Sequence, residues 1–159
     1  MSTFEQLIAL LDHHQASYKL MEHEPTGKCE EVAAIRGTAV GQGAKALVCH
    51  VKGNGLKQYV LAVLPADQQA DLSKVARAVG GLRASLASPA EVSRLTGCVF
   101  GAIPPFSFHE ELKLVVDPTL CDRNSEIAFN AGLLDKSVVL DVEDYQRICQ
   151  FERVSIVRG

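Results

Sequence analysis

The sequence has no run approaching the roughly 20 apolar residues that a membrane-crossing helix requires. Its opening stretch, MSTFEQLIALLDHHQ, lacks the basic leader, long apolar core and small-residue cleavage site of an export signal. A soluble, cytoplasmic protein is the expectation. CxxC pairs are absent, as is any Cys/His spacing suited to a metal. The cysteines, Cys29, Cys49, Cys98, Cys121 and Cys149, are odd in number and scattered, which suits reduced thiols better than a disulfide framework. A large charge of either sign is lacking too. The formal net charge of -3 argues against a broad basic surface gripping long nucleic acid, and leaves room for a local patch that meets one phosphate or a single-stranded end. Several enzyme signatures are missing: GxSxG, HExxH, a Walker A lysine, and GxGxxG opening a helix. GTAVGQGAK is glycine-rich and ends in lysine, but its spacing is not that of a P-loop.

What remains is an ordinary globular chain. Its 159 residues are 47% hydrophobic and 22% charged, without repeat, low-complexity tract or linker, and one domain over residues 1–159 is expected. Phe4, Leu7, Ile8, Leu10 and Leu11 recur at helical spacing behind Ser2 and Thr3, so residues 3–15 read as a helix. YKLME at 18–22 alternates like a short strand, and a short helix follows Thr26 and Gly27 to end near Gly37. AKALVCHV, the turn KGNG and LKQYVLAVLP read as a β-hairpin. ADLSKVARAVGG reads as helix, LRASLAS as strand, and SPAEVSRLTG as a helix capped by Ser88 with Pro89 at its first position. Beyond CVFGAIPPFSF come the strand LKLVVD, a turn-like PTLCDRNSE, the strands IAFNAG and SVVLD, and a helix VEDYQRICQ behind Asp141. The C-terminal half is expected to be mostly strand. The irregular alternation suits an α+β domain with a mixed sheet better than a regular βαβ series.

Few residues stand out for chemistry. Lys45 opens an apolar strand directly after flexible glycines, so it is either a snorkelling surface lysine or a cation aimed at a phosphate or developing oxyanion. His23 and His109 sit in loop-like positions able to line a cleft, whereas His13 and His14 end a helix and His50 lies in the hairpin. Cys49 and Cys98 lie in apolar surroundings where a buried thiol is inert. In GAIPP, Gly101 permits close backbone approach, while Pro104 and Pro105 fix two φ angles and remove two donors. The result is a stiff wall whose carbonyls are not used up by a regular ladder, suited either to a tight turn in a core or to a pocket holding a ligand or water by backbone oxygens.

These residues resemble a known family. GAIPP at 101–105 looks like the GxxxP loop of the YbaK/ProRS-associated editing domains, and Lys45 in GQGAKALV falls where that family carries its functional lysine. EHEPTGKCEEVAAIRG and IAFNAG are similar as well, so the likeness spans nearly the whole chain, and it is greatest to the free-standing YeaK-like branch. The resemblance implies the family's fold, a single α+β domain with a mixed β-sheet or open barrel and surrounding helices. It also implies a hydrolase that clears mischarged tRNA in trans by cutting the ester between a small amino acid and the terminal adenosine, without cofactor or metal. Gly101 and Pro105 would shape the pocket loop and place the water, and Lys45 would anchor the substrate. Ala102, Ile103 and Pro104 would fill the loop's variable part, with Asn130 and Gly132 as lining residues and His23, Thr26 and His109 as further substrate-binding candidates.

The implied partner is the acceptor end of an aminoacyl-tRNA, presented by a synthetase or elongation factor; neither DNA nor a membrane is implied. Serine, threonine and alanine are the amino acids a small pocket would admit. Two departures bar transfer of YbaK's own specificity: Pro104 stands directly before the motif proline, and FNAGLLDKS replaces that branch's glycine- and basic-rich segment. Two other readings stay open on the residues alone. One is a module that holds charged tRNA or a synthetase without chemistry; the other is a hydrolase of another small acyl ester or amide.

Overall fold

A computed structural model describes residues 1–159. Helix α1 (Thr3–His13) begins at a capping box in which Ser2 and Glu5 satisfy each other's backbone N–H, and it buries Leu7 and Leu11. Strand β1 (Tyr18–Glu22) leads to helix α2 (Cys29–Arg36), which Gly37 ends in the left-handed conformation. A single 3-10 turn, Val40–Gln42, then opens into β2 (Ala44–Gly53). Because a strand follows these glycines instead of a helix, no N-terminal helix dipole is available to form a P-loop. The hairpin closes through Asn54 and Gly55, both at positive φ, and returns as β3 (Leu56–Pro65), with Lys45 opposite Leu64.

Helix α3 (Leu72–Ala78), strand β4 (Arg83–Leu86) and helix α4 (Pro89–Thr96) follow as the sequence anticipates. Then comes the Gly101–Pro105 loop, and β5 (Leu112–Val116) runs parallel to β3. The turn-like PTLCDRNSE instead contains a helix, α5 (Pro118–Arg123). Asp117 makes it helical: its carboxylate accepts from the Thr119 N–H at 2.9 Å while Pro118 supplies a ready-set first turn. Strands β6 (Glu126–Asn130) and β7 (Lys136–Asp141), helix α6 (Val142–Ile148) and a two-residue strand β8 (Glu152–Arg153) complete the chain. With α5 and α6 present, the C-terminal half is mixed and not mostly strand.

The strands form two sheets, a three-stranded β1-β7-β6 and a five-stranded mixed β4-β2-β3-β5-β8. A single bridge, Gly43 to Ala128, joins their edges. The larger hydrophobic core, including Leu7, Leu61, Phe106, Phe129 and Tyr145, lies between the sheets and under α1 and α6. A smaller core, including Cys49, Val51 and Val75, packs α3 on the other face of the large sheet. Strand β3 is therefore covered on both sides, and Val60–Leu64 are fully buried. The architecture is the expected single α+β domain, and no helix is long and apolar enough to cross a membrane.

Candidate active site

Where the two sheets meet, the chain leaves a cavity of about 170 Å³. Its walls come from α2, the start of β2, the end of β6 and the loop before Pro104. Most of the lining is apolar, with Val32, Ala33, Ile103 and Phe129 among the contributors. A cavity this size is well below the roughly 300–1,000 Å³ of sites for drug-sized ligands, so it suits one small side chain.

Four of the expected residues lie on this wall: Lys45, Gly101, Ile103 and Asn130. Lys45 is half-buried, and its Nζ donates to the Gln68 carbonyl at 2.6 Å, leaving further hydrogens unspent. Ala102, Pro104 and Pro105 are buried behind the wall and stiffen it. Gly132 contributes through its backbone, its N–H donating to the Ala102 carbonyl at 2.9 Å. Thr26 offers its carbonyl to Asn130 Nδ2 at 3.0 Å. His23 stands one layer back, with Nε2 2.6 Å from Ser137 Oγ. His109 is not brought to the cavity. It ends the loop before β5, where its ring Nδ1 accepts from the Glu111 N–H at 3.1 Å.

The loop's carbonyls stand outside any strand ladder, as the sequence suggests, yet they are not left for a ligand. Three of its carbonyls are spent: Gly101 on Asn130 Nδ2 at 2.8 Å, Ala102 on Gly132, and Pro105 on the Tyr145 hydroxyl at 2.7 Å. The N–H groups of Gly101 and Ile103 have no partner within the chain, and both residues face the cavity. The wall thus uses its oxygens to hold itself in place and leaves two backbone donors unengaged in residues that line the cavity. Gly101 makes this geometry possible with φ +88° and a close approach to Gly27, whose Cα would lie 3.0 Å from any Cβ added at Gly101.

Arg36 was not anticipated. It occupies the last turn of α2, one turn beyond Val32 and Ala33, so a single helix face carries both the apolar lining and this cation. The sequence signal was available as an arginine in register with Cys29, Val32 and Ala33. Arg36 Nε donates to Ser137 Oγ at 2.9 Å and Nη2 to Asn130 Oδ1 at 3.1 Å. Burial pulls its pKa down to about 10, which still leaves the guanidinium charged at neutral pH. Neither Arg36 nor Lys45 belongs to an ion pair, so the cavity carries positive charge without an internal counterion. Phe100, exposed at the rim, and Gly27 were likewise not anticipated.

One thiol, that of Cys29 at the start of α2, lines the cavity, and no histidine or carboxylate is hydrogen-bonded to it to act as its base. The Ser137–His23 pair has the right partners, but Ser137 is 0% exposed and its oxygen is engaged by Arg36. Burial pushes the Cys49 and Cys149 thiols up to about 12 and raises those of Cys98 and Cys121. The site offers instead the Lys45 cation for an anionic group, an apolar recess for a small side chain, and two unengaged backbone donors suited to a developing oxyanion.

The family model described as the aminoacyl-tRNA editing domain matches residues 23–148. The chain belongs to the aminoacyl-tRNA editing domain family. Among curated members, it is 67% identical over 156 residues to the multifunctional Ser/Thr-tRNA deacylase ProXp-y of Escherichia coli (strain K12), covering 98% of this chain and 93% of that protein. It is 29% identical over 153 residues to the prolyl-tRNA editing protein ProX of Acetoanaerobium sticklandii, covering 93% and 91% respectively. Among solved editing-type folds, a provisionally assigned trans-editing enzyme for prolyl tRNA synthetase superposes with a TM-score of 0.81 at 23% identity, covering 100% of this chain and 99% of that one. At that identity the likeness speaks for the fold.

Proposed function

We propose that this editing-domain protein is a free-standing deacylase that hydrolyses the ester of tRNA wrongly charged with serine or threonine. The observation that carries this reading is the 67% identity, across 98% of the chain, to a Ser/Thr-tRNA deacylase. The geometry of the cavity supports a mechanism for it. The amino-acid side chain occupies the apolar recess beside Ile103 and Phe129, where a surplus methylene costs about 1–3 kcal/mol, so larger side chains are kept out. Lys45 holds the phosphate or ribose of the terminal nucleotide. The ester carbonyl lies against the Gly101 and Ile103 N–H groups, which stabilise the charge gathered on its oxygen as water adds to the carbon. Collapse of that adduct breaks the bond to the ribose oxygen, which leaves as a hydroxyl with a proton from the water. The products are the free amino acid and uncharged tRNA.

An aminoacyl ester is already activated, so orienting a water and the neighbouring ribose hydroxyl beside preorganised dipoles supplies much of the rate without a protein nucleophile. The reaction belongs where tRNA is charged, in the cytoplasm. The net charge of -3 favours delivery of the acceptor end by a synthetase or elongation factor over a wide grip on the tRNA body.

The test is deacylation of Ser-, Thr-, Ala-, Cys- and Pro-tRNA by the wild type and by Lys45→Ala. The expected result is selective loss of the seryl and threonyl esters. In Lys45→Ala, kcat/KM falls roughly 10- to 100-fold, the worth of one charged hydrogen bond, chiefly through KM. If the wild type leaves every ester intact at high enzyme concentration, the reading is wrong.

A further inference from the structure

We propose that Arg36 is a positioning residue for the deacylation: its guanidinium fork locks the Asn130 amide, which in turn holds the Gly101 loop with its free N–H groups toward the cavity. This inference rests on the proposed function and concerns residues behind the reacting atoms.

The Asn130 amide is held on both sides. Its Oδ1 accepts from Arg36 Nη2 at 3.1 Å and lies 3.1 Å from Ser137 Oγ, and its Nδ2 donates to the Gly101 carbonyl at 2.8 Å and the Thr26 carbonyl at 3.0 Å. A flip of the amide would turn its oxygen toward two carbonyls and its NH2 toward a cation, losing these contacts together. Arg36 therefore fixes which way Asn130 points. The two carbonyls that Asn130 holds come from the two loops that meet at the cavity mouth, where Gly101 lies against Gly27. Gly101, at φ +88°, has more torsional freedom than any other residue type and drifts unless its flanking peptides are held. The Asn130 bond to its carbonyl restrains one of those peptides; the other bears the Gly101 N–H.

A lysine cannot replace this arrangement. Nε and Nη2 of one planar group reach Ser137 and Asn130 together, whereas an ammonium is a point donor on a flexible stem. His23 buttresses the far side, with Nδ1 2.8 Å from the Glu24 carbonyl and Nε2 on Ser137.

The experiment compares wild type, Arg36→Lys, Arg36→Met and Lys45→Ala. Steady-state kinetics on Ser-tRNA are measured together with amide hydrogen exchange by NMR at Ala102 and Gly132, whose N–H groups donate to the Val99 and Ala102 carbonyls of this loop. The expected result is a fall in kcat of about 100-fold, the cost of misplacing a reacting group by about 1 Å, in both Arg36 variants. KM stays within about threefold of wild type, and both amides exchange faster. Lys45→Ala shows the opposite split, a raised KM with unaltered loop exchange. Full activity in Arg36→Lys, or a loss confined to KM, would show that charge or substrate contact is what matters and would overturn the positioning role. If Arg36→Met does not fold, Arg36→Lys decides on both readouts. If wild-type protein deacylates nothing, the functional reading falls. In that case unchanged exchange in the Arg36 variants overturns this inference, and faster exchange sustains the loop-holding it requires.

Discussion

At Gly101 a left-handed backbone, φ +88°, and a neighbour with no room to yield occur at one residue. Gly101→Ala would place a Cβ 3.0 Å from the Gly27 Cα and pay a left-handed penalty of roughly 1–2 kcal/mol besides. The strain alone lowers Tm by about 2–8 °C, and displacement of the loop abolishes most deacylation. Gly55→Ala is the control, because Gly55 also has positive φ but nothing within 4 Å of an added Cβ, and it lies at the hairpin tip. Thermal melts and kinetics on the pair should give comparable losses of Tm from strain, with activity lost only at Gly101; full activity in Gly101→Ala would remove the loop from the mechanism. Legibility at this scale was uneven. Lys45, Gly101 and Asn130 are found at the cavity; the first two carried a signal in their own surroundings, a cation after glycines and a glycine before prolines, whereas Asn130 came only from the family resemblance. Arg36 did not stand out because a basic residue in the last turn of a helix already has a local explanation in the helix dipole. His109 drew notice as a loop histidine, but its ring serves a neighbouring backbone N–H instead.

At the level of elements, the loop is held from beneath by α6. The Tyr145 hydroxyl donates to the Pro105 carbonyl at 2.7 Å, and burial raises the tyrosine's pKa well above its usual value, so it remains the donor across the working range. Tyr145→Phe keeps the ring against Phe106 and Phe151 while leaving the Pro105 carbonyl without its partner. A buried acceptor stripped of its donor costs about 1–3 kcal/mol. Tm should therefore drop by several degrees with the aromatic packing intact; an unchanged melt would mean that the carbonyl finds a replacement partner. The elements that escaped the sequence share a physical cause. Helix α5 is six residues long and written in Pro, Asp and Arg, a composition equally suited to turns, and the deciding interaction is the cap by Asp117. Strand β8 is two residues of Glu-Arg with no periodicity to read, and it exists only because β5 lies beside it. By contrast, the hairpin of β2 and β3 was legible because pattern and turn chemistry coincide.

Over the whole molecule, the alternation of helices and strands announced an α+β domain, but the division into two sheets was hidden, since pairing partners such as β1 and β7 are far apart in sequence. That division creates the cavity, and it also localises the charge that matters. With a net charge of -3 and two unpaired cations at the cavity, the protein has little means of gripping a tRNA body. The acceptor end is single-stranded, and each phosphate neutralised there contributes about 0.7 to the dependence of log affinity on log salt. If one or two phosphates are engaged, log KM for Ser-tRNA should rise with log salt at a slope of about 0.7 to 1.4, and Lys45→Ala should lower that slope while Arg36→Met leaves it unchanged. A slope above about 4, the signature of six or more phosphates, would mean that the tRNA lies across a surface well beyond this cavity. Recognition would then belong to the body of the tRNA instead of its end.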